Sequence, residues 1–215
     1  MIYLILLLTF SYFLGNVNPA LMIARLKKGI DIRDFNSKNA GATNTVMTVG
    51  FRWGIVVMVF DILKGTIPVL VARLLFEDQP FIWVLAGFFA ILGHVFPIFY
   101  KFKGGKGTAT YAGLLFGISP LFGLFVFISF FVILLITDYI VISTIFSVMF
   151  VPIYIYFFTD LGLYPVLILI LIACMSILKH FENIKRLIAG EELSLRAYLI
   201  KRKEKIKSNK ERDLR

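Results

Sequence analysis

One long stretch of the chain carries almost no charge. Between Lys106 and Lys179 there is no lysine or arginine, and the only acidic residues are Asp138 and Asp160. Across the whole chain 59% of the 215 residues are hydrophobic, and the mean hydropathy is +0.87. A soluble domain of this length could not bury so much apolar surface. Because backbone polar groups in lipid must be satisfied within the chain, the sequence predicts an all-α, polytopic membrane helical bundle.

A helix needs about 20 mostly apolar residues to cross a bilayer, and seven segments are candidates. They are Ile2–Leu26, Trp53–Leu75, Phe81–Phe99, Ala109–Ile118, Leu121–Ile136, Tyr139–Phe158 and Tyr164–Leu178. The fourth and fifth are short, and they form either a half-helix with a tilted helix or one element broken at Ser119-Pro120. We predict about seven transmembrane helices, with five as the competing count.

The lysines and arginines predict the orientation of these helices. They cluster after the first, third and seventh segments, whereas the connection after the second, 77–80, has only Arg73 nearby. By the positive-inside rule, the N-terminus lies outside and the C-terminus in the cytoplasm, with the protein in the cell (inner) membrane. We divide the chain into a transmembrane domain, 1–193, and a basic cytoplasmic tail, 194–215.

Charge and composition also limit the partners and cofactors. The formal net charge of +10 favours anionic membrane lipids and phosphates as partners. Nucleic acid is not expected, because aromatic and basic residues do not alternate as in a nucleic-acid groove. The two histidines and the single Cys174 lack the spacing of metal ligands. The sequence predicts no metal and no cofactor, and it does not indicate an oligomeric state.

Two polar loops on the predicted cytoplasmic face have compositions suited to phosphate. In the first, the consecutive glycines Gly104 and Gly105 are flanked by Lys103 and Lys106. The glycines allow the backbone to approach a phosphate closely, and the lysines can neutralise its charge. This loop is the strongest physical signal in the chain.

The second loop, 36–44, reads Asn-Ser-Lys-Asn-Ala-Gly-Ala-Thr-Asn. Gly41 and the asparagines tolerate positive φ, so that backbone N–H groups can converge on an anion. Thr43 is alternatively the N-cap of a helix that leads into the second segment. Two such loops on one side of a membrane indicate a site for phosphorylated substrates.

Several polar residues interrupt the apolar segments. Asn16 and Asn18 precede Pro19 within the first segment, which predicts either a proline kink or an opened turn that presents polar groups to a pocket. Asp61 and Lys64 are three residues apart and share one helix face. Because charges within a membrane are costly, this spacing predicts either a structural ion pair or a functional site.

The segment ends carry further candidates. His94 closes the third segment, where a structural role in supporting the following loop is favoured over catalysis. His180 and Asn183 share a helix face, where a neutral imidazole could orient or deprotonate a hydroxyl, and an ordinary polar cap is the alternative. Arg25 is either a membrane anchor or part of the site. Glu192 is placed to brace the basic loops.

Taken together, these motifs resemble the bacterial acyl-phosphate:glycerol-3-phosphate acyltransferase family of integral membrane enzymes. The resemblance rests on four ordered motifs, NSKNAGATN (36–44), DILKG (61–65), GHVFPIFYKFKGGKGTAT (93–110) and HFENIKRLIAG (180–190). It covers nearly the whole chain, from residue 14 to residue 192. It implies transfer of a fatty acyl group from acyl phosphate to the 1-hydroxyl of glycerol 3-phosphate, giving lysophosphatidic acid and phosphate in phospholipid synthesis.

The resemblance also implies roles for individual residues. The residues implied to act in catalysis are His180, Asn183 and Arg25. Those implied to bind substrate phosphates are Ser37, Asn39, Gly41, Thr43, Asn44, Lys103, Gly104, Gly105 and Lys106. Those implied to support the site are Asp61, Lys64, His94 and Glu192. Direct attack by the substrate hydroxyl is expected, because no serine or cysteine occupies a recognisable nucleophile motif.

The chain departs from the family pattern at several positions. The family usually has a serine where Asn16 stands, glycines where Asn36 and Lys38 stand, and an arginine where Met47 stands. Lys38 or Arg52 is a candidate to supply the missing positive charge. These changes leave a divergent, non-catalytic paralogue as an alternative. A transporter of phosphorylated metabolites is a second alternative, disfavoured because the last four segments have few polar residues to line a crossing.

Overall fold

The computed structural model describes residues 1–198, which form ten α-helices. They are α1 (Ile2–Asn16), α2 (Pro19–Lys28), α3 (Ala42–Thr48), α4 (Phe51–Leu75), α5 (Pro80–Val95), α6 (Thr108–Ile118), α7 (Pro120–Thr137), α8 (Ile140–Phe158), α9 (Leu163–Lys179) and α10 (Phe181–Ile188). Two short 3-10 turns, Ile32–Asp34 and Ile98–Tyr100, precede α3 and α6. The all-α prediction is confirmed, and most of the predicted tail 194–215 lies outside the described residues.

The first apolar segment is two helices. Val17 adopts an extended conformation between them, and the Asn18 side chain caps α2 by accepting a hydrogen bond from Leu21 N (3.0 Å). Pro19 occupies the first position of α2, where its missing N–H and fixed φ are tolerated. The helix is therefore interrupted by an opened turn, but Asn16 and Asn18 are buried and donate to the Tyr12 and Ala40 carbonyl oxygens. Presentation of these groups to a pocket stays a prediction.

The fourth and fifth segments are separate helices joined by a sharp turn. Ser119 ends α6 and caps α7, accepting a hydrogen bond from Phe122 N (3.3 Å). The Phe116 and Phe127 ring centroids lie 6.0 Å apart, whereas eleven residues along one straight helix would separate them by about 16 Å. The chain therefore reverses direction at Ser119-Pro120, and the single broken element considered above does not occur.

The helices differ in how much of a membrane they could cross. Five are long and apolar enough, counting α1 with α2 and α5 with its following turn, and α9 with α10 makes a sixth if their 55° bend is accepted within one span. With 11 residues, α6 is about 16 Å long, roughly half the thickness of the hydrocarbon layer. α6 thus matches the predicted half-helix.

The middle of the bundle depends on close contacts between backbones. A Cβ atom at Gly65 of α4 would lie 2.1 Å from the Thr110 carbonyl oxygen, and one at Gly113 of α6 would lie 2.0 Å from the Ile62 carbonyl oxygen. Small residues at such crossings let membrane helices approach closely and gain van der Waals contact. The helices α4 and α6 are therefore in close backbone contact. The loops that precede them form the candidate site described below.

Candidate active site

The loop between α5 and α6 folds back against the end of α5. The N–H groups of Gly104 and Gly105 donate hydrogen bonds to the carbonyl oxygens of Val95 (3.3 Å) and His94 (3.1 Å). A Cβ atom at Gly104 would lie 1.9 Å from the His94 carbonyl oxygen, and one at Gly105 would lie 2.1 Å from His94 Nε2. The two glycines therefore bring the loop backbone close to His94, whereas we expected them to bring it close to a phosphate.

Lys106 and the first turn of α6 are the groups in this loop that suit an anion. α6 begins at Thr108 after Gly107, which has a positive φ of 85°, and no side chain within residues 1–198 caps the helix. The first N–H groups of a helix have no intrahelical partner, and together with the helix dipole they attract negative charge. Lys106 lies directly before this turn and adds a full positive charge.

Lys106 is also linked to α10. Its Nζ donates to Asn183 Oδ1, Asn183 Nδ2 donates to Glu192 Oε1 (2.6 Å), and Arg186 Nε donates to Glu192 Oε2 (2.8 Å). Burial lowers the pKa of Lys106 to about 8, while the Glu192 charge acts in the opposite direction. Three predicted residues thus meet, and Arg186 joins them. Its position three residues after Asn183, on the same helix face, was the signal that sequence reasoning missed.

His180 lies at the corner between α9 and α10 and is only 3% exposed. Its Nδ1 lies 2.9 Å from the Ser176 carbonyl oxygen. Because a carbonyl oxygen only accepts, we infer that Nδ1 carries the hydrogen and that Nε2 is an acceptor. This tautomer fits the predicted role of a neutral imidazole that accepts a proton from a hydroxyl.

The left-handed backbone positions of loop 36–44 are not at its glycine. Asn36 and Lys38 have positive φ angles of 47° and 54°, whereas Gly41 is extended with φ of −155°. Thr43 is the second residue of α3, and Gly41, not Thr43, is the N-cap position. Positions 36 and 38 are those at which the resembled family usually has glycine, and a left-handed backbone is the physical reason for glycine there.

Several polar groups of this loop are used internally. Buried Asn44 donates to the carbonyl oxygens of Ile32 (2.8 Å) and Asn39 (2.9 Å), and Asn18 Nδ2 donates to that of Ala40 (3.4 Å). Asn44 therefore shapes the loop. The exposed side chains of the loop are those of Asn36, Ser37, Lys38 and Thr43. Of these, Asn36 donates to Thr48 Oγ1 (2.9 Å).

Arg33 joins the two loops. Its Nη1 donates to the carbonyl oxygens of Tyr100 (3.2 Å) and Lys103 (3.0 Å), and its Nη2 pairs with Asp31 Oδ2 (2.6 Å). The Arg33 guanidinium lowers the pKa of the Asp31 carboxyl. No sequence motif indicates the role of Arg33, because its partners are backbone carbonyls distant along the chain. Both loops consequently lie at the same end of the bundle.

Arg25 is placed differently from the other residues implied in catalysis. It is exposed on the last turn of α2, and its charge contributes to the lowered pKa of Asp31. Within residues 1–198 no hydrogen bond joins its side chain to His180 or Asn183. Arg25 therefore belongs with the Asp31–Arg33 pair at the rim of the site.

Three ionisable side chains are buried between α4 and α5. Lys64 Nζ lies 2.7 Å from Asp61 Oδ1, and His94 Nδ1 lies 3.4 Å from the same oxygen. Lys64 Nζ also donates to the Val17 carbonyl oxygen (2.7 Å) in the break between α1 and α2. The ion pair suggested by the spacing of Asp61 and Lys64 is therefore present, and His94 supports the following loop as expected.

Comparison with known proteins identifies the family. The sequence model of the glycerol-3-phosphate acyltransferase family matches residues 5–190. The chain belongs to this family. The glycerol-3-phosphate acyltransferase of Bacillus subtilis is 40% identical over 188 residues, 87% of this chain and 95% of the relative. That of Aquifex aeolicus is 38% identical over 189 residues, 86% of this chain and 96% of the relative.

Two crystal structures of an integral membrane glycerol 3-phosphate acyltransferase have a similar fold. The glycerol 3-phosphate form gives a TM-score of 0.85 at 34% identity, covering 90% of this chain and 96% of that chain. The lysophosphatidic acid form gives 0.81 at 33% identity, covering 89% and 95%. The protein described here is therefore an acyltransferase with a multi-pass membrane fold.

The residues at which this acyltransferase departs from the family pattern lie in two places. Asn16 is fully buried and donates to the Tyr12 carbonyl oxygen (2.8 Å). Met47 lines an open cavity of about 530 Å³ together with Lys28 and Asn36. The cation that lines this cavity is Lys28, whose Nζ donates to the Thr48 carbonyl oxygen. Lys38 and Arg52, the candidates to supply the missing positive charge, are not among the lining residues.

Proposed function

We propose that the protein transfers a fatty acyl group from acyl phosphate to the 1-hydroxyl of glycerol 3-phosphate, giving lysophosphatidic acid and inorganic phosphate. The observation that carries this proposal is the contact of Lys106, just before α6, with Asn183, near a His180 ring whose pKa is lowered by burial and by the Lys106 charge. The two similar crystal structures, a glycerol 3-phosphate form and a lysophosphatidic acid form, support the same acceptor and product.

The reaction needs one bond to form and one to break. The 1-hydroxyl oxygen of glycerol 3-phosphate attacks the acyl carbonyl carbon, and the bond from that carbon to the phosphate oxygen breaks. The hydroxyl proton passes to His180 Nε2 or to a phosphate oxygen, and phosphate leaves with the bonding electrons. Phosphate is a good leaving group, so the protein acts mainly by positioning the substrates and stabilising charge.

Each phosphate is assigned to one of the two loops. Lys106 and the first turn of α6 bind the phosphate of the acyl donor, where negative charge increases as the bond breaks. Loop 36–44, with exposed Ser37 and Lys38 and with Arg33 behind it, binds glycerol 3-phosphate. His180, three residues before Asn183, is assigned to the hydroxyl that attacks, through its Nε2.

The orientation in the cell follows from charge. Both loops lie at the same end of the bundle, which carries the exposed cations Arg25, Lys27, Lys38 and Lys101. We place this end at the cytoplasmic face of the inner membrane, where anionic lipid headgroups attract basic residues. Cysteines introduced at Lys38 and Lys101 should both react with an impermeant thiol reagent only when the cytoplasmic side is accessible. Labelling of the two from opposite sides would contradict the shared site.

The activity can be tested directly with purified protein, synthetic acyl phosphate and labelled glycerol 3-phosphate. Lysophosphatidic acid should form with acyl phosphate as donor and not with acyl-CoA or acyl carrier protein. Absence of product with every donor, in protein that remains folded, would refute the proposal. Uptake of the labelled solute into proteoliposomes would then favour a transporter.

Lys106→Ala tests the assignment of the donor phosphate. We expect the KM for acyl phosphate to rise at least tenfold, because a buried charge-assisted contact is lost. Lys101→Ala is the matched control, since Lys101 is an exposed lysine in the same loop and should leave kinetics within about twofold. Unchanged KM and kcat in Lys106→Ala would remove that lysine from the site.

A further inference from the structure

The buried ionisable side chains between α4 and α5 form one connected row. In order along it are the Val17 carbonyl oxygen, Lys64, Asp61 and His94, with separations of 2.7, 2.7 and 3.4 Å. Lys64, Asp61 and His94 are 4%, 2% and 4% exposed. Both contacts to Asp61 Oδ1 are charge contacts and not well-directed hydrogen bonds, because Asp61 Oδ1 and His94 Nδ1 are left without such a bond within residues 1–198.

One end of this row lies beneath the loop that carries Lys106. The site of a Cβ atom on Gly105 is 2.1 Å from His94 Nε2, and the His94 carbonyl oxygen accepts the Gly105 N–H (3.1 Å). The His94 ring therefore sets how closely this loop approaches α5. Since Lys106 follows Gly105 directly, a movement of the ring would move Lys106 as well.

The other end of the row holds the second phosphate loop. Lys64 fixes the Val17 carbonyl oxygen in the helix break, and the next residue, Asn18, donates to the Ala40 carbonyl oxygen (3.4 Å) within loop 36–44. The two loops also touch at this point, because a Cβ atom on Gly105 would lie 2.8 Å from the Ala40 oxygen. Both loops are thus supported by the same three side chains.

A gain in the stability of the fold does not explain why these three ionisable side chains are buried together. Burying charges requires their desolvation, and a buried ion pair is often no more stable than apolar side chains of similar volume. Within a membrane the cost is larger, and buried charges there usually have a function. Contacts between charged groups have defined distances, so these side chains set the separation of the two segments that they connect better than apolar packing would.

We propose that Lys64, Asp61 and His94 are positioning residues that set the separation of the two phosphate-binding loops, and hence of the two substrates. This inference rests on the proposed function. The three side chains touch neither substrate, and they act through Gly105 and through the Asn18–Ala40 contact. Since a misplacement of about 1 Å can reduce a rate a hundredfold, the expected effect of disturbing the row is on kcat.

The test uses a variant in which the charges are removed together, Asp61→Leu with Lys64→Met, so that no unpaired charge is left behind. His94→Gln is the second variant, in case the first does not fold. Thr66→Val is the matched control, because it removes a bond between α4 and α6, from Thr66 Oγ1 to the Gly113 carbonyl oxygen (2.9 Å), outside the row.

We expect kcat of the folded row variants to fall at least tenfold, while the KM for each substrate changes less than threefold. Thr66→Val should lower thermal stability and leave kcat within twofold. Row variants that fold and retain wild-type kcat would overturn the inference. Loss of kcat to the same extent in Thr66→Val would overturn it too, because any weakening of the bundle would then have the effect.

A distance measurement separates this inference from the proposed function. Spin labels at Lys38→Cys and Lys101→Cys, in a chain with Cys174→Ser, report the separation of the loops without any substrate. The distance distribution should shift or broaden in the row variants and remain unchanged in Thr66→Val. An unchanged distribution in the row variants would refute positioning even if the wild-type protein proves inactive, whereas an inactive wild type with a shifted distribution refutes only the function.

Discussion

The charge of Lys106 offers the most direct test of the site. Burial lowers its pKa to about 8, from an ordinary value of 10.5. Lysine binds phosphate as a cation, so the protonated fraction of Lys106 should control donor binding above pH 8. The neighbouring imidazole does not titrate in this range, because burial lowers the pKa of His180 to about 4 and the ring is already neutral.

The magnitude follows from the pKa. One pH unit above it about a tenth of Lys106 is protonated, so kcat/KM for acyl phosphate should fall about tenfold per unit above pH 8. The lowered pKa corresponds to roughly 3 kcal/mol of unfavourable free energy for the charge in the empty site. Because the unfolded chain binds more protons between pH 8 and 10.5, the free energy of unfolding should rise with pH in that window.

A bound phosphate favours the charged lysine and raises its pKa again. Binding of inorganic phosphate at pH 9 should therefore take up close to one proton, which calorimetry in buffers of different ionisation enthalpy measures. Inorganic phosphate is already doubly ionised at pH 9, so its own ionisation does not contribute to the proton uptake. The control is Lys106→Arg, which stays charged and should show lower activity without the alkaline fall. A wild-type profile that is flat to pH 9.5, or the same fall in Lys106→Arg, would refute this reasoning.

Three further substitutions test the two loops and the contacts of Lys106. Gly105→Ala should lower activity at least tenfold and stability by about 1–3 kcal/mol, measured by kinetics and thermal unfolding, because the new Cβ meets His94. Lys38→Gly should raise the free energy of unfolding by about 0.5–1 kcal/mol, since it relieves a left-handed lysine; a lower melting temperature would contradict this. Glu192→Gln should move the alkaline fall in activity below pH 8, because Glu192 raises the pKa of Lys106; an unmoved profile would count against the contact.

Much of the fold could be predicted because a membrane limits the choices. The apolar segments became α4, α7, α8 and α9 with small changes at their ends, since an uncharged run of sufficient length has few structures open to it in lipid. The pairing of Asp61 with Lys64 followed from helical spacing alone. Both predictions depend on local sequence, which is why they hold.

The rest depends on contacts between residues far apart in the chain. Nothing in the sequence around Arg33 indicates that its partners are backbone carbonyls of the other loop, about seventy residues later. The use of the Gly104 and Gly105 amides by α5 could not be foreseen, because a glycine pair has the same composition whether it approaches a phosphate or a helix. The number of complete membrane crossings and the orientation of the termini stay predictions.

The short length of α6 has a consequence for how product leaves. The last turn of α6 accepts hydrogen bonds from Arg73, near the end of α4. Because α6 is only about 16 Å long, we expect its first turn, beside Lys106, to lie below the level of the lipid headgroups. On the proposed function, we expect acyl transfer to take place at the depth of the fatty chains of the bilayer. The newly made amphiphile can depart sideways into the leaflet, and its tail need never pass through water.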